Sequence, residues 1–277
     1  MKTKKYSYSK LDSFNNCPKR HKFIYIDRLR KEDESIEAFL GKLIHSCLEW
    51  VYNQKIDKGV TYFSLDQIIN KFKEYWDERW HSQIRLFQFR KPKNLASFIK
   101  HKKMDYFTLG VNSLVGYYSV YGPYFNDNVL KVEERIEFQI SGFNFVSILD
   151  RIDNQDSGNI KVVDYKTGKR NITEKKLSTD LQMGIYSFAV KSAFPDTDQE
   201  DITLSHFYTR NNKEVSIKSS IIDHDALKNK ISKNIELIEL CEENNDFISK
   251  ESHLCNWCYF WDECDKKNTN NPSFYLE

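Results

Sequence analysis

The side chains best suited to chemistry lie in two short segments, SILDRID at 147–153 and VVDYKTGK at 162–169. Residues two apart on a β-strand project from the same face, so we expect Asp164 and Lys166 to point into one site. Asp150, at the end of the neighbouring predicted strand, brings a second carboxylate to that site. An Asp-x-Lys pair taken alone is more typical of a surface ion pair.

Two clustered carboxylates repel each other unless a cation lies between them or one of them is protonated. Oxygen ligands favour Mg²⁺ or Mn²⁺, and either ion acidifies a bound water and neutralises charge on a phosphoryl oxygen. An adjacent amine such as Lys166 then positions the attacking water or holds a phosphate oxygen. The pattern therefore favours a divalent metal site that can act on a phosphate ester.

Three of the six cysteines, Cys255, Cys258 and Cys264, follow a C-x2-C-x5-C spacing. In a reducing compartment this clustering indicates a metal centre, which needs a fourth ligand. Cys241 is the nearest candidate and would complete a zinc site. However, Cys241 continues the apolar face of its predicted helix, and Cys47 does the same in another helix, so both are interpreted as core residues.

The spacing of apolar residues predicts helices over much of the chain. Between residues 36 and 52 these residues follow i, i+3, i+4 and i+7, which describes one buried helical face. Further helices are predicted at 66–85, 96–121, 174–194 and 224–243. With only 9 glycines and 5 prolines available for turns, long helices are expected to dominate.

An alternation with period two begins at about residue 129 and predicts a strand whose Val132, Ile136, Phe138 and Ile140 share one face. Ser141-Gly142 predicts a hairpin turn, and a second turn is predicted at 156–159. The remaining strands are predicted at 143–150, 160–166, 201–209 and 214–221. This order of elements predicts an α/β fold, with a central mixed sheet flanked by helices.

The formal charge is +2, from 42 Lys and Arg against 40 Asp and Glu, but the cations are segregated. Residues 1–31 hold ten cations and two acids, and residues 79–103 hold eight cations and no acid. Four aromatic residues are interleaved with the second group: Trp80, Phe87, Phe89 and Phe98. This mixture suits single-stranded nucleic acid, although a solvated basic face with core aromatics is the plainer alternative.

A charged fraction of 30% and a mean hydropathy of −0.66 argue against a membrane span. The segment MKTKKYSYSK is basic, but no apolar stretch follows it, so it is not expected to be a secretory signal. These features predict a cytoplasmic protein without a membrane partner.

Four motifs occur in a definite order: GKLIH, ILDRID, VVDYKTG and QMGIY. In that order they resemble the core of the PD-(D/E)xK nuclease superfamily, in its RecB/AddB-like branch. The resemblance extends from Ser9 to Cys264 and leaves 53–128 without a counterpart. It implies a restriction-endonuclease-like core that carries a large helical insertion.

The resemblance implies a role for each matching position. The implied metal ligands are His45, Asp150, Asp164 and the carbonyl of Tyr165. Asp150, Asp164 and Lys166 are the implied catalytic residues. Without the family pattern, His45 would be interpreted as a core histidine, and Asp153 is interpreted as a turn or ion-pair residue.

Three further positions match supporting elements of the family. Glu133 corresponds to a glutamate that supports the site, and Gln182 and Tyr186, four residues apart on a helix, position the lysine and the nucleic-acid strand. The plainer interpretations are an exposed strand face for Glu133 and a core position for Tyr186. The family usually has glycine three residues before the metal aspartate, where this chain has Ser147.

Cys17-Pro18 near the start and C-x2-C-x5-C near the end resemble the iron–sulphur staple of AddB-type nucleases and of the CRISPR-associated spacer-acquisition nuclease. The resemblance implies that Cys17, Cys255, Cys258 and Cys264 hold a [4Fe-4S] cluster. Zinc bound by four thiolates is the alternative, because cysteine spacing does not distinguish a zinc site from an iron–sulphur cluster.

The implied organisation is one nuclease domain over 1–277, divided as follows: N-terminal helices at 1–52, a helical insertion at 53–128, the nuclease core at 129–222, and a C-terminal helix with the cysteine cluster at 223–277. The implied activity is that of a Mg²⁺- or Mn²⁺-dependent DNA nuclease, an exonuclease acting on single-stranded DNA or DNA ends in recombination, repair or replication.

Other functions are compatible with the same motifs. These are a CRISPR spacer-acquisition-type nuclease, a ribonuclease, and a non-catalytic nucleic-acid-binding module on the same fold. A GxxxxGK[ST] loop is absent from the sequence, so any helicase partner would be a separate chain.

Overall fold

The computed structural model describes residues 4–87, 92–155, 158–267 and 271–276. Its elements in chain order are β1 (Lys5–Tyr6), α1 (Tyr8–Asn16), α2 (Pro18–His21), β2 (Glu34–Ser35), α3 (Ile36–Lys58), α4 (Leu65–Arg79), β3 (Ile84–Phe87), α5 (Leu95–Tyr121), β4 (Val129–Ile140), β5 (Phe143–Asn154), β6 (Ile160–Lys166), α6 (Glu174–Leu177), α7 (Leu181–Ala193), β7 (Ile202–Tyr208), β8 (Lys213–Lys218), α8 (His224–Asn244) and β9 (Ser273–Tyr275).

A six-stranded mixed sheet forms the centre of the described chain, with the path β1-β5-β6-β7-β8 and with β4 also paired to β5. The β4–β5 hairpin turns at Ser141 and Gly142, whose φ angles of 49° and 83° suit a tight hairpin turn. Strands β6 and β7 are parallel, with Asp164 opposite His206. Helices cover both faces, so the predicted α/β fold class is confirmed.

In the described chain, the edge of β5 that faces away from β4 is paired only near its two ends. Strand β4 pairs along nearly the whole of β5, so β1 and β6 share the other edge. On that edge β1 reaches only Asn144 and Phe145, and β6 begins its pairing at Arg151. Residues 146–150 therefore have no strand partner there among the described residues. We call this interruption the edge gap.

Two hydrophobic clusters lie on the opposite faces of the sheet. The first includes residues of α1, α7 and α8, and the second includes residues of α3, α4 and α5. Alternate residues of β6 divide between them, because Val162 belongs to the first cluster, whereas Val163 and Tyr165 belong to the second. The helices within 53–128 thus share one core with α3 and with the sheet.

Strand β4 changes the face that it buries at Glu133, which has a left-handed φ of 47°. Before this residue Val132 packs against the second cluster, and after it Ile136 and Phe138 belong to the first. The prediction that Val132 shares a face with Ile136 is therefore wrong. The left-handed residue breaks the simple alternation, and sequence periodicity carries no sign of it.

Two predicted helices have different bounds from those expected. The helix predicted at 66–85 ends at Arg79, because Trp80 has an extended backbone, and the following residues form β3 with alternately buried Ile84 and Leu86. The helix predicted at 174–194 is divided into α6 and α7. Asp180 caps the second of these by accepting a hydrogen bond from the Met183 N–H.

No helix in the described part of the chain combines the length and apolar character that crossing a bilayer requires.

A fully buried arginine ties the second cluster to β5. Arg151 is 0% exposed, and it donates to the hydroxyls of Tyr52 and Tyr117 at 2.5 and 2.8 Å. It also forms an ion pair with Asp153 at 2.7 Å, and Asp127 lies 3.4 Å away. Asp153 is thus an ion-pair residue, as expected, while its arginine partner was not anticipated.

We expect Arg151→Met to lower the free energy of unfolding by about 3–5 kcal/mol, because it leaves the Asp153 carboxylate buried without its partner. Guanidinium denaturation followed by circular dichroism measures this loss. The control is Arg135→Met, which removes a half-exposed arginine on β4 and should cost less than about 1 kcal/mol. Equal losses in the two variants would contradict the structural role of Arg151.

Candidate active site

Asp164 and Lys166 lie at the end of β6 and point to the same side, as strand geometry predicts. Lys166 Nζ is 2.7 Å from Asp164 Oδ2 and donates to Gln182 Oε1 at 2.7 Å. Gln182 Nε2 in turn donates to Asp164 Oδ1 at 2.8 Å. Because Gln182 lies in the first turn of α7, this helix holds both the carboxylate and the amine in place.

Gln182 also contacts Tyr186, one helical turn later, by donating to its hydroxyl at 2.9 Å. The Tyr186 hydroxyl donates to the carbonyl of Ile148 at 3.0 Å. Ile148 lies in the edge gap, where no neighbouring strand that the structure describes supplies a hydrogen-bond donor. The hydroxyl of the buried Tyr186 is the donor to the Ile148 carbonyl instead. The predicted pair Gln182 and Tyr186 thus connects α7 to both β5 and β6.

Asp150 and His45 approach the same end of β6 from two other elements. Asp150 Oδ2 accepts the backbone N–H of Tyr165 at 2.8 Å and lies 3.4 Å from His45 Nδ1. His45 Nε2 donates to the Tyr165 carbonyl at 2.9 Å. Asp150 is not at the end of its strand as predicted, because β5 continues to Asn154.

A glycine lets α3 come this close to β6. A Cβ atom at Gly41 would lie only 3.2 Å from Thr167 Oγ1, which is tighter than most real contacts of a Cβ atom. A larger residue would require Thr167 or α3 to shift by a few tenths of an ångström. The glycine of the GKLIH motif thus allows close packing one helical turn before His45.

The atoms most suited to hold a cation belong to His45, Glu133 and Asp150, whose candidate ligand atoms lie within 4.8 Å of one another. Two ligands of one Mg²⁺ are at most about 4.2 Å apart, since each lies about 2.1 Å from the ion. The donor set therefore fits a divalent cation after a small adjustment. The left-handed residue Glu133 is thus a candidate ligand, where sequence analysis expected only a supporting residue.

Burial and neighbouring charges shift the pKa values of this site. Burial raises the pKa of Asp164 to about 6, against the opposing effect of Lys166. Burial and the neighbouring Asp150 raise the pKa of Glu133 to about 7. Burial acts to lower the pKa of His45, but the hydrogen bond and charge of Asp150 outweigh it and raise that pKa to about 9. A bound cation would relieve this repulsion.

His206 is a site neighbour that sequence analysis missed. Its Nε2 lies 3.8 Å from Asp164 Oδ2, and the residue is only 3% exposed. Burial lowers the pKa of His206 to about 3, so the imidazole is neutral. The available signal was a polar residue within the apolar strand ITLSHFY, but its position opposite Asp164 depends on the β6–β7 register.

A family model described as PD-(D/E)XK nuclease superfamily matches residues 5–265 of the chain. The chain belongs to the PD-(D/E)XK nuclease superfamily. The match covers nearly the whole sequence, including α4 and α5. This result confirms the superfamily predicted from the motifs.

One solved structure supports the fold of this superfamily member. A crystal structure from Eubacterium rectale, of a protein provisionally named as an exonuclease, has a TM-score of 0.53 at 12% identity, covering 96% of this chain and 91% of that one. The structure of SSO0001 aligns over 94% of each chain at 13% identity, with a TM-score of 0.35 that is too low to indicate a common fold. No curated protein matches the sequence.

The four predicted cluster cysteines line a single recess, which we call the cysteine recess: Cys17, Cys255, Cys258 and Cys264. Two backbone N–H groups donate to its sulfur atoms, from Lys250 to Cys17 and from Ser252 to Cys255, each at 3.4 Å. Four cationic residues also line it: Lys19, Arg20, Lys250 and Lys267. Cys47 is buried in the second cluster and Cys241 packs against the first, as expected.

Several side chains of the basic stretch at 79–103 are engaged in contacts within the protein. Arg85 forms an ion pair with Asp33 at 2.5 Å, and Lys103 lies over the ring of Trp80 at 3.8 Å. Trp80 itself packs against the second cluster, as does Phe98. These contacts favour the plainer interpretation of core aromatics. Among the cations and aromatic residues of the two predicted basic segments, four lie outside the described residues: Lys2, Phe89, Arg90 and Lys91.

We expect His45→Ala to weaken Mn²⁺ binding by about tenfold or more, since it removes the nitrogen from the candidate ligand group. The free Mn²⁺ signal in electron paramagnetic resonance measures the affinity. His81→Ala is the matched control, because His81 lies outside this group beside Glu34. An unchanged affinity in the His45 variant would exclude that residue as a ligand.

Proposed function

We propose that this superfamily member is a metal-dependent DNA nuclease that hydrolyses phosphodiester bonds in a single domain. The observation that carries the proposal is the convergence of two groups at the edge gap. One group is the candidate ligand set His45, Glu133 and Asp150, and the other is the pair of Asp164 and Lys166. A binding module without catalysis would have no need for a lysine held against a buried carboxylate.

We assign the following roles to the residues of the site. His45, Glu133 and Asp150 would hold the ion, and the family resemblance adds Asp164 and the carbonyl of Tyr165 as further ligands. A bound Mg²⁺ or Mn²⁺ supplies an acidified water and neutralises charge on the phosphate. Lys166 holds a phosphate oxygen or the attacking water, and Gln182 keeps the ammonium group oriented. The imidazole ligand favours Mn²⁺ over Mg²⁺, because Mg²⁺ prefers oxygen.

The substrate proposed for this site is single-stranded DNA or a DNA end, cut by an exonuclease of the RecB/AddB-like branch in recombination, repair or replication. The motif order supports this branch. The named activity of the Eubacterium rectale structure agrees, although likeness at 12% identity bears on the fold alone. Any unwinding would be performed by a separate helicase chain in the same compartment.

The cysteine recess is proposed to hold a [4Fe-4S] cluster. Four thiols around one recess match the ligand number of such a cluster. The N–H groups aimed at Cys17 and Cys255 are donors that stabilise thiolate sulfur. The cationic lining offsets the negative charge of four thiolates. Zinc bound by the same cysteines is the alternative.

We expect Lys166→Met to lower the cleavage rate by at least about 100-fold, because it removes the charge that stabilises the phosphate during attack. End-labelled linear DNA digested with Mn²⁺ gives the rate. Lys161→Met is the matched control, since Lys161 lies on the same strand but pairs with Glu214. Full activity of the Lys166 variant would refute the assignment.

The same digestion applied to circular single-stranded DNA tests the exonuclease proposal. Linear DNA should disappear while circles persist, because an exonuclease needs an end. Cleavage of circles at a similar rate would make the protein an endonuclease.

We expect protein purified without oxygen to be brown and to absorb at about 400 nm, where thiolate-bound iron–sulphur clusters absorb. Cys17→Ser should remove this absorbance, since it deletes one ligand. Cys241→Ser is the control and should retain it, because Cys241 packs against the first cluster. Colourless wild-type protein containing one zinc would establish the alternative metal.

A further inference from the structure

A recess of about 350 Å³ opens at the edge gap beside the proposed catalytic residues. Its walls come from the start of α1, from Arg135 on β4, from Ser147 on β5, and from Gln182 and Tyr186 on α7. We call it the edge recess. Gln182 forms part of this wall and also bonds to Asp164 and Lys166. A group bound in the edge recess would therefore be a direct neighbour of the site of cleavage.

The start of α1 presents hydrogen-bond donors to the edge recess. Ser7 caps the helix by accepting the Lys10 N–H at 3.2 Å, and its hydroxyl lies 3.0 Å from that of Ser9. The first N–H groups of a helix have no partner within the helix, and the helix dipole favours an anion near them. Ser7, Tyr8 and Ser9 all line the recess.

Ser147 supplies an independent indication of a ligand. The residue is only 6% exposed, and its buried hydroxyl has no hydrogen-bond partner within the described part of the chain. Buried polar groups are normally satisfied, so a lone hydroxyl in the wall of a recess indicates a partner that binds there. Glycine is usual at this position in the family that the motifs resemble, so the hydroxyl is a feature of this chain.

One cationic side chain, that of Arg135, lines the edge recess. Arg135 and Lys5 both contact the carboxylate of Glu137, at 2.7 Å in each case. Two cations that share one carboxylate leave one positive charge. Arg135 is also about half exposed, so it can turn toward a ligand without losing buried contacts.

We propose that the edge recess binds a phosphate group of the substrate strand, adjacent to the phosphate that is cleaved. The helix start, the hydroxyls of Ser7, Ser9 and Ser147, and the guanidinium of Arg135 supply its donors. This inference rests on the proposed nuclease function. A terminal phosphate and an internal phosphodiester offer the same chemistry to these groups.

The test compares two substitutions at one position. Asp and Asn both cap helices well, so Ser7→Asp and Ser7→Asn should both preserve α1, but only Asp brings a negative charge to the recess. With a short oligodeoxythymidylate and Mn²⁺, we expect Ser7→Asp to raise KM about tenfold or more while Ser7→Asn stays near wild type. The penalty should shrink as salt is added, because salt screens charge repulsion.

Two further variants examine the other walls. Ser147→Ala should raise KM with little change in kcat, since it removes only a hydroxyl. Arg135→Gln should reduce the slope of log affinity against log salt by about 0.7, the effect of losing one phosphate contact with a single strand. Equal KM values for wild type and Ser7→Asp at low salt would overturn the proposal.

The oligonucleotide is supplied with a 5′-phosphate, with a 3′-phosphate, or with two hydroxyl ends. A Ser7→Asp penalty confined to one phosphorylated form identifies a terminal phosphate, and an equal penalty in all three identifies an internal one. Fluorescence anisotropy before Mn²⁺ is added separates this proposal from the nuclease proposal. Protein that binds with the same Ser7→Asp penalty but never cleaves would refute the nuclease alone, and cleavage with no Ser7→Asp penalty in binding or in KM would refute the edge-recess proposal alone.

Discussion

Repulsion among three carboxylates is the constraint on which the arrangement of this protein depends. Glu133, Asp150 and Asp164 come from three strands and meet in a largely buried space, where burial and the charge of Asp150 raise the pKa of both Glu133 and Asp164. Lys166 and His45 offset that charge, and they reach it from β6 and from α3. The α3 layer must therefore be packed against the sheet for His45 to offset this charge. Folding and function are coupled here through charge as well as through shape.

The regular strand pairing of the sheet is interrupted where these three carboxylates meet. Strand β5 exchanges one partner for another across the edge gap, and β4 passes through a left-handed residue at Glu133 opposite it. Immediately after Asp150, Arg151 turns into the second cluster and is held by tyrosine hydroxyls and Asp153. Asp150 thus faces the polar site, while the next residue, Arg151, anchors β5 in the core. Such anchoring limits how far the Asp150 carboxylate can move.

Local rules predicted the parts of the site that depend on one element. Strand alternation paired Asp164 with Lys166, whereas the pair Gln182 and Tyr186 was implied by the family resemblance and agrees with helix spacing. Other relations depend on how distant segments meet. The position of His206 opposite Asp164 requires the β6–β7 register, and the placement of Glu133 requires a left-handed residue that periodicity does not reveal. Arg151 carried no signal because a buried arginine looks like a surface cation until its partners are known. The grouping of Cys17 with the late cysteines came from family resemblance.

Helix α1 joins two regions that were described separately. Its first residue follows Ser7 at the edge recess, and its C-terminal cap is Cys17 in the cysteine recess. A helix of nine residues is about 14 Å long and behaves as a short rod over that distance. The edge recess and the cysteine recess therefore share one short rigid element, so a displacement of Cys17 would also displace Ser7.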